Sequence, residues 1–524
     1  MDTTDVTFSS LREYAAATSA AAPVARERSA PATAAQRGLW LAESLSDGRN
    51  GYTVTHAYRL RGAMDQARLL AALAALHARH DALRTRFATR GGRLWQIVDE
   101  SATLDYTYVD LRKSVSRRPV DRMVAEHLPE PLDLVGGPVF RAGLLALADN
   151  DHVLLLHIHH AVNDARSMAV LEQDLSSCYA GQRPEPATQF IDCSARLAAD
   201  PAAARAAAEF WAAELAGAPV VESTVADRSY EGAWAALDCT AEYAAAGELA
   251  ARQRVSAFAV LMTATRLAVA AHYGNLDTVI GTTVSARPAG CDDVVGPFVS
   301  TLPVRLRVDP EWTAAHAIAA QHAALGRVLE HHEVSFEDVA PGSGPGFAVP
   351  LTLTSNTAIG AGLDLPGLTC ERLTLDSPFC QRDLAVYLVA QGEGHALRAC
   401  RSVYAYSDAD VRTLLTSTRD LLAAFVRDPE RKLSGLGWQA RAVAEPEPEP
   451  EPDATATLAD VRATCADVLG VPESDLVEDF FDSGGGSITA MRLAVRLGIS
   501  VRQVFRLRSM TAIACAMDDR RTNE

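Results

Sequence analysis

A run of alternating glutamate and proline constrains the architecture of this chain more than any other feature. Residues Glu445–Asp453 read EPEPEPEPD. Proline at every second position holds the backbone near polyproline II and the like charges repel one another, so the run is a semi-stiff spacer of about 3.1 Å per residue. We therefore predict a linker over residues 441–455, which separates a body of about 410 residues from a tail of about 70.

Composition narrows the class of protein. The net charge of −17 argues against nucleic acid or an anionic membrane as a partner, because phosphates attract Lys and Arg. The nine cysteines are scattered singly, without a C-x-x-C pair, which predicts reduced thiols in a cytoplasmic protein and no metal site. Residues 1–28 lack apolar periodicity and resemble neither a signal peptide nor a membrane span, so we predict a flexible leader there.

The body alternates between helix and strand signals. The spacing of Leu69, Leu73 and Leu76 predicts a helix that ends near residue 80, whereas the apolar run HVLLLHI at residues 152–158 is typical of a buried strand. The same signals recur further on, as a helix between Ser256 and Gly274, a strand at residues 278–284 and a helix from Asp408. This pattern predicts an α/β body made of two lobes.

Two histidines and an aspartate stand together in the segment HIHHAVNDARS. A neutral imidazole at His160 can accept a proton from a nucleophile, and the carboxylate of Asp164 can fix the loop by pairing with an arginine. Joint metal binding by His159 and His160 is disfavoured, because adjacent residues on an extended strand point to opposite faces. From these residues alone, a packed or surface histidine pair remains the alternative to catalysis.

Five segments, in order, resemble motifs of the condensation domain family of nonribosomal peptide synthetases. HHAVNDA at His159–Ala165 is similar to the HHxxxDG signature of that family. The other four are TAAQRGLW at residues 33–40, RHDALRTRF at 79–87, VGPFVSTLPVR at 295–305 and HHEVSFED at 331–338. GTTVSARP at 281–288 also looks similar to the family. The resemblance covers residues 31–436, and several matches in a fixed order are more specific than any single one.

The resemblance implies a fold and a set of roles. The body would form two chloramphenicol-acetyltransferase-like lobes in a V, residues 29–198 and 199–440, with a tunnel in which donor and acceptor carrier arms meet at His160. His160 would deprotonate or position the acceptor amine. His159 and Asp164 would support the motif, with Arg287 as the partner of Asp164.

Three departures from the family pattern concern the same region. Ala165 replaces the glycine that closes the signature, and its methyl group would line and narrow the acceptor route. Ser300 stands where asparagine is common, and the segment at residues 189–197 matches a family motif poorly. These departures leave open a specialised acceptor, an ester-forming reaction or a weakened active site.

The tail, residues 456–520, carries the motif of a carrier domain. Residues 479–492 read DFFDSGGGSITAMR, similar to the signature DxFFxxGGxS. The glycines permit a tight turn, and Ser487 opens a helix whose N-terminus favours the phosphate of a 4'-phosphopantetheine arm. The resemblance implies a small all-α four-helix domain with Phe480 and Phe481 beneath the loop. A glycine-rich helix cap is the alternative, and the connection after Leu497 is shorter than usual.

The sequence therefore predicts a condensation–carrier didomain, an acyltransferase of antibiotic biosynthesis and secondary metabolism. Its expected partners are an upstream donor carrier protein or module, a phosphopantetheinyl transferase and a stand-alone adenylating enzyme that loads Ser487 in trans. The alternatives are ester formation with a hydroxyl acceptor, a catalytically inactive module that recruits tailoring enzymes, and epimerisation. Epimerisation is disfavoured because epimerases usually follow their carrier, whereas here the carrier comes last.

Overall fold

The protein is described by a computed structural model. The structure describes residues 28–44, 51–91, 93–113, 132–197, 201–218, 231–332, 351–356, 362–436, 457–483, 485, 487–497, 499, 503–504 and 507–522. The predicted leader, apart from Arg28, the predicted linker and most of the segment HHEVSFED lie outside these residues.

Fourteen strands and twelve α-helices are found in the described part of the chain. The strands are β1 (Arg28–Pro31), β2 (Thr53–Arg61), β3 (Thr85–Arg90), β4 (Arg93–Val98), β5 (Asp105–Asp110), β6 (Phe140–Ala148), β7 (Asp151–His159), β8 (Gly232–Asp238), β9 (Asp277–Ser285), β10 (Val299–Arg307), β11 (Leu351–Asn356), β12 (Thr369–Leu373), β13 (Leu384–Gln391) and β14 (Gly394–Ser402). The helices are α1 (Ala34–Ser44), α2 (Gln66–Arg79), α3 (Ala165–Tyr179), α4 (Phe190–Ser194), α5 (Pro201–Glu214), α6 (Thr240–Gln253), α7 (Ala257–Tyr273), α8 (Ala314–Leu329), α9 (Asp408–Arg427), α10 (Thr457–Leu469), α11 (Ser487–Leu497) and α12 (Met510–Thr522).

The first lobe is built on a five-stranded sheet of order β12-β2-β7-β6-β5. Helices α2 and α3 bury their apolar sides in one core with this sheet, and the predicted stripe Leu69, Leu73 and Leu76 is fully buried there. Asp65 caps α2 by accepting a hydrogen bond from the backbone N–H of Arg68 at 3.0 Å. Strand β12, which comes from the second half of the chain, pairs antiparallel with β2 and ties the two lobes together.

The second lobe is built on a six-stranded sheet of order β10-β9-β11-β13-β14-β8. Helices α6 to α9 share one large core with this sheet. Helix α7 begins after the Ser256 cap and ends at Gly274, whose φ of 70° is the left-handed conformation that glycine adopts without strain. The alternation of helix and strand signals in the sequence predicts an α/β body of two lobes, and the structure has two such lobes.

The tail forms a separate small helical core. The predicted apolar stripe on α10 (Leu458, Val461, Cys465 and Leu469) packs in that core with residues of α11 and α12. Phe480 is fully buried and Phe481 nearly so, beneath the loop that leads to Ser487. Gly485, the described glycine of this loop, therefore lies directly on the core of the tail.

Among the described residues, no single helix has both the length and the apolar composition needed to cross a membrane. Helices α6 and α7 meet these two criteria only together, across a bend of 115°.

Candidate active site

The end of β7 places the two histidines of the motif. Thr53 pairs with His159 in the β2–β7 register, and the backbone N–H of His160 continues the ladder by donating to the Tyr52 carbonyl at 2.9 Å. The chain then makes one 3₁₀ turn, residues 160–162, before α3 begins. His160 is half-buried at this turn, whereas His159 is fully buried.

The surroundings of His160 favour a neutral ring. Its Nδ1 lies 3.3 Å from the carbonyl oxygen of Asn163, and because a carbonyl only accepts, Nδ1 carries the hydrogen and Nε2 keeps a free lone pair. Burial lowers the pKa of His160 below its usual 6.5, and the neighbouring His159 adds to this, whereas the Asn163 carbonyl and Asp164 act in the opposite direction. Nε2 is therefore available to accept a proton at neutral pH.

His159 has a structural environment. Its Nδ1 accepts a hydrogen bond from the backbone N–H of Ala161 at 2.9 Å, which leaves the hydrogen on Nε2. That Nε2 faces Glu43 on α1, with 3.5 Å between it and Oε2. His159 thus fixes the turn that presents His160 and is shielded from solvent.

The carboxylate of Asp164 is fully engaged in hydrogen bonds. Oδ1 accepts from the backbone N–H and the hydroxyl of Ser167, both at 2.7 Å, so that Asp164 caps α3. Oδ1 also lies 2.7 Å from Nη2 of Arg287, and Oδ2 accepts from the backbone N–H of Phe298 at 3.1 Å. A buried carboxylate with these contacts holds the loop in place.

Arg287 connects this carboxylate to the second lobe. Its Nη1 donates to the carbonyls of Cys291 at 2.9 Å and Val294 at 2.7 Å, and its guanidinium lies 4.3 Å from the ring centroid of Phe298. The residue pair predicted from sequence is therefore an ion pair that joins the His160 loop to residues 287–298.

Ser167 and Gly296 also belong to this network, although no property of either residue type singled them out in the sequence. The Ser167 hydroxyl lies 3.0 Å from the N–H of Gly296 and 2.9 Å from its carbonyl oxygen. A Cβ at position 296 would lie 2.1 Å from the Phe190 ring, so only glycine fits. Gly296 lies inside the matched motif at residues 295–305, which is the signal that would have identified it, whereas Ser167 lies two residues beyond the motif at 159–165.

The poorly matching segment at residues 189–197 has a defined packing role. The Phe190 ring makes an edge contact with Phe298, with centroids 4.9 Å apart. Gln189 accepts from the backbone N–H of Asp81 at 2.8 Å and donates to the Arg79 carbonyl at 3.0 Å. This segment therefore joins the RHDALRTRF motif to the loop that clamps Asp164.

The two departures nearest the site differ in exposure. Ala165, the first residue of α3, is exposed, so its methyl group stands at the surface beside the His160 loop. Ser300 on β10 is 7% exposed, and its hydroxyl has no hydrogen-bond partner among the described residues.

Replacing Asp164 with asparagine is expected to destabilise the body by about 3–5 kcal/mol, because Arg287 keeps its charge in a buried place without a counter-charge. The urea midpoint of the unfolding transition measures this effect. Asp408→Asn, which breaks an exposed pair with Arg412, should leave the midpoint unchanged. Equal midpoints for the two variants would contradict the proposed clamp.

Gly485 makes a close contact between the carrier loop and the core of the tail. The N–H of Gly485 donates to the Phe480 carbonyl at 3.1 Å, and a Cβ at position 485 would lie 2.5 Å from that same oxygen and from the Phe480 ring. Asp479, at the start of the motif, accepts from Nε of Arg508 at 2.7 Å. These contacts join Asp479 to the segment just before α12 and place Gly485 against Phe480, two residues before α11 begins at Ser487.

The loop geometry fits a phosphopantetheine arm attached at Ser487. The first turn of an α-helix leaves backbone N–H groups without intrahelical partners, and these favour a phosphate. Helix α11 begins at Ser487 itself, and Gly485, two residues before it, approaches Phe480 too closely for any residue but glycine. Among the described residues, no group of three His, Cys, Asp or Glu side chains converges to hold a metal ion.

Comparison with known proteins finds a family match in both parts of the chain. The model of the condensation domain family matches residues 26–345, and that of the phosphopantetheine attachment site matches residues 459–498. Phosphinothricin tripeptide synthetase PhsC of Streptomyces viridochromogenes is 32% identical over 329 residues, which are 59% of this chain and 30% of that protein. Tyrocidine synthase 2 of Brevibacillus parabrevis is 27% identical over 424 residues, 77% of this chain and 12% of that protein. The chain thus spans less than a third of either relative.

Solved structures share the fold. The X-domain from teicoplanin biosynthesis matches with a TM-score of 0.67 and 23% identity, covering 79% of this chain and 98% of the X-domain. The first condensation domain of the calcium-dependent antibiotic synthetase matches with a TM-score of 0.66 and 20% identity, covering 78% of this chain and 98% of that domain. These likenesses confirm the predicted fold class, an α/β body of two chloramphenicol-acetyltransferase-like lobes followed by a helical carrier region.

Proposed function

This chain belongs to the condensation domain family of nonribosomal peptide synthetases and carries a phosphopantetheine attachment site behind that domain, and from this premise we propose that it forms an amide bond. The donor is an acyl or peptidyl thioester on an upstream carrier. The acceptor is an amine, aminoacyl-loaded on Ser487. The prediction that a separate adenylating enzyme loads Ser487 in trans remains part of this proposal.

The observation that carries the proposal is the state of His160. Its ring is half-buried, its Nδ1 is held by the Asn163 carbonyl, and burial lowers its pKa. A general base needs a lone pair that is free and unprotonated at the working pH, and Nε2 meets both conditions. The Asp164–Arg287 clamp fixes the loop on which this base stands.

The Nε2 lone pair of His160 sets the path of the proton in the proposed reaction. The acceptor amine attacks the thioester carbonyl carbon, so that a C–N bond forms and the C–S bond breaks. The amine proton passes to Nε2 of His160 and from there to the departing sulfur. Phosphopantetheine, when attached, supplies the thioester and a tether. Because a thioester is already activated, bringing the two tethered groups together provides much of the rate.

Product analysis tests this function and separates it from ester formation. The chain is first converted to its phosphopantetheine form and loaded with an aminoacyl group on Ser487. It is then mixed with an acylated donor carrier. Intact mass spectrometry should show the summed acyl–aminoacyl group on this chain. Mild base cleaves the thioester to the arm in both cases, so the released product is compared: an amide product keeps its acyl group, whereas an ester-linked product separates into its two parts. Absence of any summed product, with both carriers verified as loaded, would contradict the proposal.

The acid limit of the reaction should reflect the lowered pKa of His160. Since the base must be neutral and its pKa lies below 6.5, lowering the pH removes activity only below that value. We expect the single-turnover rate with preformed thioesters to stay level from pH 7.5 to about 6.5 and to fall at lower pH. A half-maximal rate above pH 6.5 would contradict this assignment.

A second candidate function is recruitment of a tailoring enzyme. The X-domain from teicoplanin biosynthesis, which shares this fold, has been solved in a complex with OxyB. The departures at Ala165 and Ser300 favour this candidate, whereas a half-exposed His160 with a free Nε2 favours catalysis. Recruitment alone predicts that His160→Ala leaves product formation unchanged.

A further inference from the structure

Two buried cysteines are in contact in the second lobe, where the segment of residues 374–383 passes β14. Cys380 belongs to this segment and Cys400 to β14, and they are only 2% and 3% exposed. Both are free, and their thiols are hydrogen-bonded to each other. The Cys380 sulfur lies 3.0 Å from the Arg382 carbonyl oxygen, and the Cys400 sulfur lies 3.7 Å from that of Phe379. The two sulfurs therefore stand within reach of a disulfide bond.

The backbone explains why these thiols meet. The N–H of Gly232, at the start of β8, donates to the Pro378 carbonyl at 2.7 Å, and a Cβ at position 232 would lie 3.0 Å from the Cβ of Cys380. Strand β8 also pairs with β14, where Trp234 is opposite Cys400. Alternate residues of a strand share a face, so positions 232 and 234 direct both cysteines to the same side of the sheet.

The two thiols differ in reactivity. The hydrogen bond from the Cys400 thiol lowers the pKa of Cys380 in spite of burial, whereas the same bond, together with burial, raises the pKa of Cys400. The thiolate is the nucleophilic form, and a cysteine of lowered pKa beside a second cysteine is typical of redox-sensitive pairs. The neighbours Phe379 and Gln381 are half-buried, so Cys380 lies just beneath the surface of the lobe.

The segment that contains Cys380 also contacts the first lobe beside the active site. The next residue, Gln381, donates from its side-chain amide to the Gly51 carbonyl at 2.7 Å. Gly51 precedes Tyr52, whose carbonyl accepts the backbone N–H of His160 at 2.9 Å. A displacement at Cys380 is therefore passed to the active-site loop through two hydrogen bonds.

We propose that Cys380 and Cys400 form a redox pair, which hydrogen peroxide oxidises to a disulfide that slows condensation. The Cys380 thiolate attacks one peroxide oxygen, so that an S–O bond forms, the O–O bond breaks, and hydroxide leaves and takes up a proton to become water. The Cys400 thiol then attacks the same sulfur, so that the S–S bond forms, the S–O bond breaks and a second water leaves with the thiol proton. The two sulfurs lose two electrons in total, and the peroxide gains them.

The disulfide acts on the site through the backbone. A disulfide holds its sulfurs closer together than a hydrogen bond between thiols does. Strand β14 is held on both sides by β13 and β8, so the segment of Cys380 moves and shifts Gln381 relative to Gly51. Because a displacement of about 1 Å can cost about a hundredfold in rate, we expect condensation to slow by about 10- to 100-fold. Only this effect on the rate rests on the proposed function.

Peroxide treatment of the loaded chain tests the pair. The aminoacyl thioester on Ser487 blocks the thiol of the arm, and catalase removes the peroxide before the donor carrier is added. Peptide mapping without reduction should find Cys380 joined to Cys400, and dithiothreitol should restore both the free thiols and the rate. Cys193 and Cys291 are the internal control, because their thiols are also buried and hydrogen-bonded to each other. Burial raises the pKa of Cys193 to about 12, so this pair should stay reduced.

Three variants separate the pair from other effects of peroxide. Cys380→Ala should keep its rate after treatment. Cys400→Ala should form no disulfide and accumulate sulfenic acid at Cys380, which dimedone traps. Cys193→Ala should respond as the wild type does. A wild type without the disulfide, a disulfide that leaves the rate unchanged, or an equal loss of rate in folded Cys380→Ala overturns the proposal. A reduced wild type that makes no product contradicts the condensation function, whereas the mapped disulfide still decides the redox pair.

Discussion

Replacing His160 with alanine is expected to lower the single-turnover rate of condensation by about 10²–10⁴-fold, the range that a positioned general base contributes. The variant loses Nε2 of His160, the ring nitrogen whose lone pair is left to accept the amine proton when Nδ1 donates to the Asn163 carbonyl. Loading of Ser487 and the yield of folded protein should be unchanged, since the Asp164 clamp does not involve this ring.

The matched control for this variant is His152→Ala. His152 stands at the start of β7, on the same strand but at the end away from the site, and burial lowers its pKa as it does for His160. Its replacement should leave the rate within about threefold of the wild type. If His160→Ala and His152→Ala have equal rates, His160 is not the base, and the recruitment function gains support.

Replacing Ser487 with alanine is expected to abolish attachment of phosphopantetheine completely. The wild-type chain, incubated with coenzyme A and a broad phosphopantetheinyl transferase, should gain the mass of one arm. The variant should gain none, because the hydroxyl at the start of α11 is the group that forms the phosphodiester bond.

Ser483→Ala is the control for the carrier prediction. Ser483 lies in the same DSGGGS loop, where its hydroxyl accepts from the N–H of Val477 at 3.1 Å and donates to the Asp479 carbonyl at 2.9 Å. These contacts are structural, so this variant should still gain one arm. An arm on the Ser487→Ala variant, or its loss from Ser483→Ala alone, would contradict the assignment.

Sequence reasoning identified the features that depend on local pattern. The stripe on α2, the Ser256 cap of α7 and its end at Gly274 are fixed by residues close to one another in the chain, and the structure has all three. The family resemblance added the long-range pair of Asp164 and Arg287, whose atoms lie 2.7 Å apart.

The features that the sequence did not reveal are non-local. Strand β12 crosses from the second half of the chain to pair with β2, and a strand of five residues carries no sign of its distant partner. Glu172 and Arg372 are 200 residues apart, and each is an ordinary charged residue until the fold joins them. The need for glycine at position 296 arises from the ring of Phe190, which belongs to the other lobe.

The central claim is that the arm on Ser487 brings its acceptor group to residue 160, and cross-linking measures this convergence directly. In the His160→Cys variant, a bromoacetamide on the Ser487 arm should be displaced by the thiolate at position 160, with loss of bromide. Peptide mapping should then find that position joined to the arm. In His152→Cys, the same arm should leave position 152 unmodified. Equal labelling of positions 152 and 160, or labelling of neither, would contradict the account.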